Sequence, residues 1–275
     1  MRSRGFTLIE LLMVVVIVGI LAATLTVFLK PAIDSYLDVR RRAELSDMAD
    51  TALRRMGQDI RRAVPNSIHL QSPSCFQLVP TTMGGRYRME VDANSPALGV
   101  SRPLDPTTVT TEFDVLNRLL TLAGAVGGWV VVNNQNKEDV YSGANRALIS
   151  AVQTPPVPGG ITVAQHRITI APKQFAPGYD QGRFVVVDND VQSVFYSCVG
   201  NTLYRTVAGF DADRAATCAA TGGAVVATNI GACVFTYDPN QGATQQSGFL
   251  QMQLTLTSGG ENMTLLHGVH VENAP

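Results

Sequence analysis

Glu10 puts a carboxylate near the start of the apolar run from Arg4 to Leu29. A charge at the middle of a bilayer costs about 2.5–3.5 kcal/mol on insertion scales, so such a group calls for a cationic partner. Four cysteines, Cys75, Cys198, Cys218 and Cys233, are the next reactive groups. None forms a Cys-x-x-Cys pair and none has histidine at zinc-finger spacing, which argues against a metal cluster. In an exported chain an even count favours disulfides, with three possible connectivities; four buried free thiols are the alternative. The last three cysteines lie within 36 residues. Cys233 is therefore expected to pair with Cys218 or Cys198, and Cys75 to tie the start of the head to its C-terminal part.

The remaining candidates are weaker. His267 and His270, in "HGVH", are three apart, and on a strand they point to opposite faces, which speaks against a shared metal. "DND" (188–190) and "DAD" (211–213) offer carboxylates but lack the glycine and closing glutamate of a calcium-binding loop. Turn chemistry is the plain reading of both, and a loop calcium site the alternative. No Gly-x-Ser-x-Gly elbow, phosphate-binding glycine loop or dinucleotide fingerprint is present. The glycine pairs in "TMGGRY" and "GGAVVA" read as turns, and Trp129 in "WVVV" as core rather than a ligand platform. No metal, cofactor or catalytic residue is expected.

The elements around these residues divide the chain. Leu11 to Leu29 is free of charge and spans about 28 Å, close to the hydrocarbon thickness of a bilayer. Arg2 and Arg4 precede it, which predicts a cytoplasmic N-terminus and an external remainder. The apolar run is too long for a cleaved signal peptide, no good Ala-x-Ala follows it, and Glu10 sits where the apolar region should begin. A plain signal anchor leaves Glu10 as an unexplained cost. From Ala32 to Val64 the apolar positions Leu45, Met48, Ala52, Met56, Ile60 and Ala63 keep helical spacing, with arginines on the other faces. This predicts an amphipathic helix stopped by Pro65-Asn66, with a possible kink at Pro31. Its irregular heptads disfavour a coiled coil and suit half-embedding in a β-rich head.

Beyond Pro65 short β-branched runs alternate with Gly, Pro, Asn and Asp. Strands are expected at Ser74–Val79, Gly128–Asn133, Gln165–Ile170, Arg183–Val187, Val191–Cys198, Thr202–Val207, Ala232–Tyr237, Phe249–Thr257 and Met263–Val271. Alternation is clearest in "FLQMQLTLT". Residues 154–160 and 238–248 read as exposed loops. The pattern predicts one antiparallel sheet wrapped on the helix, with a large irregular insertion around residues 84–160. Residues 65–275 hold eleven Lys/Arg against fifteen Asp/Glu, a net of −4, which is not the footprint of a general nucleic-acid binder.

"RGFTLIELL" resembles the processing site of type IV prepilins and pseudopilins: a short basic leader, a Gly–Phe junction, and a glutamate at the fifth position from the phenylalanine. "CFQLVPTTMGGRYR", "DVYSGANRA", "GRFVVVDNDVQSVFYSC" and "TLLHGVHVENAP" resemble the O-type minor pilins of mannose-sensitive haemagglutinin (MSHA) pili. The resemblance implies an α+β, type IV pilin-like fold: a leader (1–5), a transmembrane helix (6–29), an amphipathic helix (30–64) and a periplasmic or extracellular head (65–275). It implies cleavage after Gly5 and N-methylation of Phe6 by a membrane-embedded prepilin peptidase/methyltransferase. The new amine, one turn from Glu10 or on a neighbouring subunit, would be that carboxylate's partner. Helix softening between Gly19 and Pro31 is a further family expectation.

The function so implied is that of a non-enzymatic minor pilin in assembly or initiation of a type IV, MSHA-like pilus. Its partners would be other major and minor pilins, the pilus assembly platform and the inner membrane, which it crosses once. Alternatives are a minor pseudopilin of a type II secretion system, a tip adhesin or DNA-uptake receptor, and an anchored periplasmic enzyme. No nucleic-acid partner is expected.

Overall fold

A computed structural model describes residues 6–92, 100–119, 124–155, 157, 164–178, 181–241 and 247–274. Its N-terminal element, α1, runs unbroken over 54 residues, Leu8–Arg61. At about 1.5 Å per residue that is roughly 80 Å. Every residue from Phe6 to Leu37 is exposed, whereas Leu45, Ala49, Ala52, Leu53, Met56, Gly57 and Ile60 are buried. The buried set recurs at steps of three and four, one stripe of a 3.6-residue helix. The helix ends three residues before the expected Val64. Beyond Arg61 the backbone is taken by other partners: Ala63 bridges Pro80, and Val64 N–H donates to Val79 O at 2.8 Å.

The rest follows in chain order: β1 (His69–Ser72), β2 (Cys75–Leu78), β3 (Met83–Arg86), β4 (Thr110–Val115), β5 (Trp129–Val132), α2 (Asp139–Ser142), β6 (Arg146–Gln153), β7 (His166–Lys173) and β8 (Arg183–Val187). Then come β9 (Ser193–Val199), β10 (Thr202–Ala208), α3 (Arg214–Ala219), β11 (Ala224–Ala227), β12 (Ile230–Gln241), β13 (Ser247–Ser258) and β14 (Glu261–Glu272). The long helix packed on antiparallel sheets makes this an α+β fold of type IV pilin-like plan. The single expected sheet is instead three: β1-β2-β9-β10-β11, β12-β13-β14 and β3-β8-β5-β6-β7-β4.

The first two sheets share one core with α1. Leu250, Met252, Leu254 and Leu256 line one face of β13 and meet Met56 and Ile60, with Phe76, Tyr196 and Phe235 beside them. Phe76 and Phe235 pack edge to face at 4.9 Å. Gly57 faces β14, and a Cβ there would stand 3.4 Å from Val269 Cγ2, an ordinary contact. Gly57→Ala should therefore raise stability by up to about 1 kcal/mol through helix propensity. Gly57→Leu should lower it by about 1–3 kcal/mol through overpacking. Urea melts of the two variants would check both signs.

The third sheet corrects the expectation of an irregular insertion. All six of its strands lie between β2 and β9 in sequence, and they surround a core of their own that includes Phe113, Val130, Val132, Ile149, Ile168 and Phe184. The sheet also closes on itself. Just past β3, Tyr87 bridges Val115 of β4, flanked by Arg88 N–H to Asp114 O and Leu116 N–H to Arg86 O, both 2.9 Å. Closure into a barrel removes the open edges of the sheet. The expected loop at 238–248 is likewise corrected at its ends, which belong to β12 and β13; residues 242–246 lie outside the described residues, as does most of 154–160.

Candidate functional site

The N-terminal segment is assembled from its first turn upward. Thr7 is the N-cap of α1, and its hydroxyl accepts from Glu10 N–H at 3.4 Å. The Glu10 carboxylate reaches back, accepting from Thr7 N–H at 3.4 Å and from the Thr7 hydroxyl at 3.3 Å. This is a capping box, which satisfies two of the orphan donors at a helix start. The Thr-x-x-Glu spacing that signals it stands in the sequence. Phe6, just outside the helix, is 76% exposed. Gly5 lies outside the described residues.

Above the cap, the apolar stretch is buried at no point, and α1 is long and apolar enough to cross a membrane. Its two hydroxyls are satisfied internally: Thr24 donates to Leu21 O at 2.9 Å and Thr26 to Ala22 O at 2.8 Å. A lipid environment demands such pairing, since no water is present to supply it. A Cβ added at Gly19 would meet open space, and α1 continues through Pro31. Because proline has no N–H, the Val27 carbonyl lacks its usual helical donor.

Where α1 enters the head, charged contacts fix it. Arg42 donates to both oxygens of Glu261, at 2.8 and 3.1 Å, and Arg41 to Gly259 O at 3.2 Å. The Arg42 guanidinium holds the Glu261 carboxyl below its ordinary range. Further along, Asp59 accepts from the Tyr196 hydroxyl at 2.8 Å and from Arg205 Nε at 2.9 Å, locking the helix to β9 and β10. Burial pushes the Tyr196 hydroxyl well above its usual range. Of the arginines expected on the solvated helix face, Arg40 and Arg54 pair within the helix and Arg42 pairs with the head.

Two disulfides staple the head. Cys198–Cys233 joins β9 to β12, hence the first sheet to the second, and Cys75–Cys218 joins β2 to α3. Of the two partners open to Cys233 from the sequence, the structure pairs it with Cys198. The other candidates serve local structure. His267 faces Gly57 of α1, while His270 stacks on Phe249 with centroids 4.9 Å apart. Asp188 closes a turn by accepting from Asp190 N–H at 2.8 Å, and Asp213 caps α3. Trp129 is half-buried, edge-on to Phe210 at 5.8 Å, with the Arg146 guanidinium over its ring at 5.0 Å. Among the described residues no three His, Cys, Asp or Glu side chains gather as a metal site requires.

An exposed apolar helix that opens on a Phe-Thr-x-x-Glu cap decides the reading. The chain carries a prokaryotic N-terminal methylation motif, and residues 1–26 match the family model of that description. The methylation motif supports a type IV pilin or pseudopilin family, and with it processing by a prepilin peptidase and pilin partners in a pilus system. Motif and helix together are consistent with a membrane-anchored pilin. Neither a curated protein nor a solved structure gives a significant match to the chain.

Proposed function

We propose that this protein is a minor pilin, a structural and non-enzymatic subunit that helps to build or initiate an MSHA-like type IV pilus. The observation that carries the reading is the fully exposed apolar half of α1, opened by Phe6 and Glu10 under the methylation motif. Such a surface has no place in water and two places in a pilin: the bilayer before assembly and the filament core after it. Cleavage between Gly5 and Phe6 creates an ammonium one turn from Glu10, on this subunit or its neighbour. The pair makes a carboxylate tolerable in an apolar bundle. Gly19 and Pro31 would let the segment between them unwind on packing, since one lacks a side chain and the other a backbone donor.

The large head and its disulfides fit a periplasmic or extracellular station, where such bonds persist. The protein would cross the inner membrane once, with its N-terminus in the cytoplasm, and reach the pilus through the assembly platform.

Mass spectrometry of the protein from cells with and without prepilin peptidase tests this. With the peptidase, the first peptide should begin at N-methylated Phe6; without it, Met1 to Gly5 should remain. A leader retained in both strains would overturn the proposal. Loss of the pilus on deletion of the gene, with secretion intact, would separate a pilin from a pseudopilin.

A further inference from the structure

Most arginines of the barrel and head have acidic or aromatic partners. Arg102 meets Glu112 at 2.7 Å, Arg167 meets Asp114 at 2.7 Å, Arg205 meets Asp59 at 2.9 Å and Arg214 meets Glu138 at 2.8 Å. Arg146 lies over the rings of both Trp129 and Phe210. Arg118 departs from this rule among the described residues, and so does one group. Arg86 of β3 and Arg183 of β8 are directly opposite in the register, both exposed. Phe184 points into the barrel core, so alternation sends Arg183 and Arg86 outward together. Like charges directly opposite on neighbouring strands repel, and sheets ordinarily avoid them.

Among the described residues Arg86 has no carboxylate within 4 Å, and Arg183 has only Glu272, at 4.0 Å and itself 73% exposed. Arg61, at the end of α1, has none either, and it shares with Arg183 the rim of a cavity of about 250 Å³. Val64, Val131 and Phe184, all of them buried, line it together with the polar Asn133 and Asn134 and the Glu272 carboxylate. So the junction of α1 and the barrel brings together three guanidiniums short of counter-charge and an adjoining, partly apolar socket. This happens on a head whose net charge is −4.

We propose that this strip is a docking site for an acidic segment of a partner protein. Its carboxylates would pair with Arg61, Arg86 and Arg183, and one apolar side chain would fill the socket. Guanidinium forks suit carboxylates bidentately. The apolar part of the socket favours a peptide over a nucleic-acid backbone, which offers phosphates but no aliphatic side chain. Because the head is acidic overall, an acidic partner is favoured at this strip over most of the rest, which biases its orientation. The inference rests on the barrel and the C-terminal end of α1 and is independent of how the N-terminus is processed.

The test uses the full chain in detergent and fluorescence anisotropy with three probes. They are a peptide of leucine flanked by glutamates, the same peptide with glutamines, and a short DNA duplex. The glutamate peptide should bind, the glutamine peptide should not, and replacing its leucine by serine should weaken it. Arg86→Gln with Arg183→Gln should weaken the glutamate peptide by about tenfold or more. The same double variant should melt no lower than wild type, since it removes a like-charge repulsion; this keeps a loss of binding from being mistaken for unfolding. Equal binding of the glutamine peptide, unchanged binding by the double variant, or no binding at all would overturn the proposal. Tighter binding of the duplex with a steep salt dependence would overturn it in favour of nucleic acid.

Discussion

Replacing Asp114 by alanine should destabilise the barrel by about 3–5 kcal/mol, the cost of leaving buried charge without its partner. Asp114 is fully buried, and it stands where the barrel closes. Arg167 of β7 is opposite it in the register and donates to its Oδ1 at 2.7 Å. On the other side, Arg88 of the β3 extension has its Nε 4.0 Å from Oδ2, and Arg102 N–H donates to Oδ2 at 2.8 Å. The carboxylate thus pairs with Arg167 of β7 and approaches Arg88, whose nearer partner is Asp92 at 3.4 Å. Without it, the buried Arg167 guanidinium loses its carboxylate at the seam that closes the sheet. Asp114→Asn, which keeps an acceptor but not the charge, should fall between alanine and wild type. Hydrogen exchange would check the location: protection should fall in β3, β4 and β7 first, and last in α1 and β13. Uniform loss across both cores would show that the barrel has no stability of its own.

The second large effect concerns assembly. Glu10 has a local role, completing the capping box with Thr7, and a proposed one, pairing with the amine at Phe6. Two substitutions separate them. Glu10→Gln preserves the box, because glutamine serves at this position as well as glutamate. It abolishes the charge. Glu10→Leu removes both. If the ammonium pair holds subunits in register, each variant should insert into the membrane normally and be depleted from sheared filaments by tenfold or more. That depletion corresponds to about 1.4 kcal/mol or more of lost pairing. If capping were the whole role, Glu10→Gln would assemble like wild type and only Glu10→Leu would suffer. Comparing the membrane and filament fractions by immunoblot decides between them.

The helix was legible because its two signals are local. The run from Leu11 to Leu29 and the spacing of Leu45, Ala52, Met56 and Ile60 each need only the next turn to be understood. The same holds for β13, where Leu250, Met252, Leu254 and Leu256 alternate on one face. The barrel was not legible, because its partnerships are remote. "MGGR" reads as a turn, yet it is a strand paired with β8, nearly a hundred residues away. Its glycines are there because a Cβ on Gly84 would approach Phe184 O to 3.0 Å, and one on Gly85 would collide with the Asn117 amide. Asp114 was not legible either, because Glu112 and Asp114 alternate with Phe113 and Val115 and so read as an ordinary solvated strand face. Nothing in the chain reveals that Arg86 and Arg183 stand side by side, since only the register brings them together. The capping box, by contrast, is readable in the spacing of Thr7 and Glu10.

The manner in which the barrel joins the rest has a mechanical consequence. The chain leaves the first sheet after β2 and returns at β9, two strands that already pair with each other, Leu78 opposite Val194. Entry and exit are thus side by side, and Thr82 N–H donates to Val186 O at 2.9 Å across the neck. A pull on α1 is resisted by the first two sheets and the Cys198–Cys233 bond, and the load never has to pass through the barrel. The barrel can therefore change, by substitution or wholesale exchange, while the part that bears tension stays as it is.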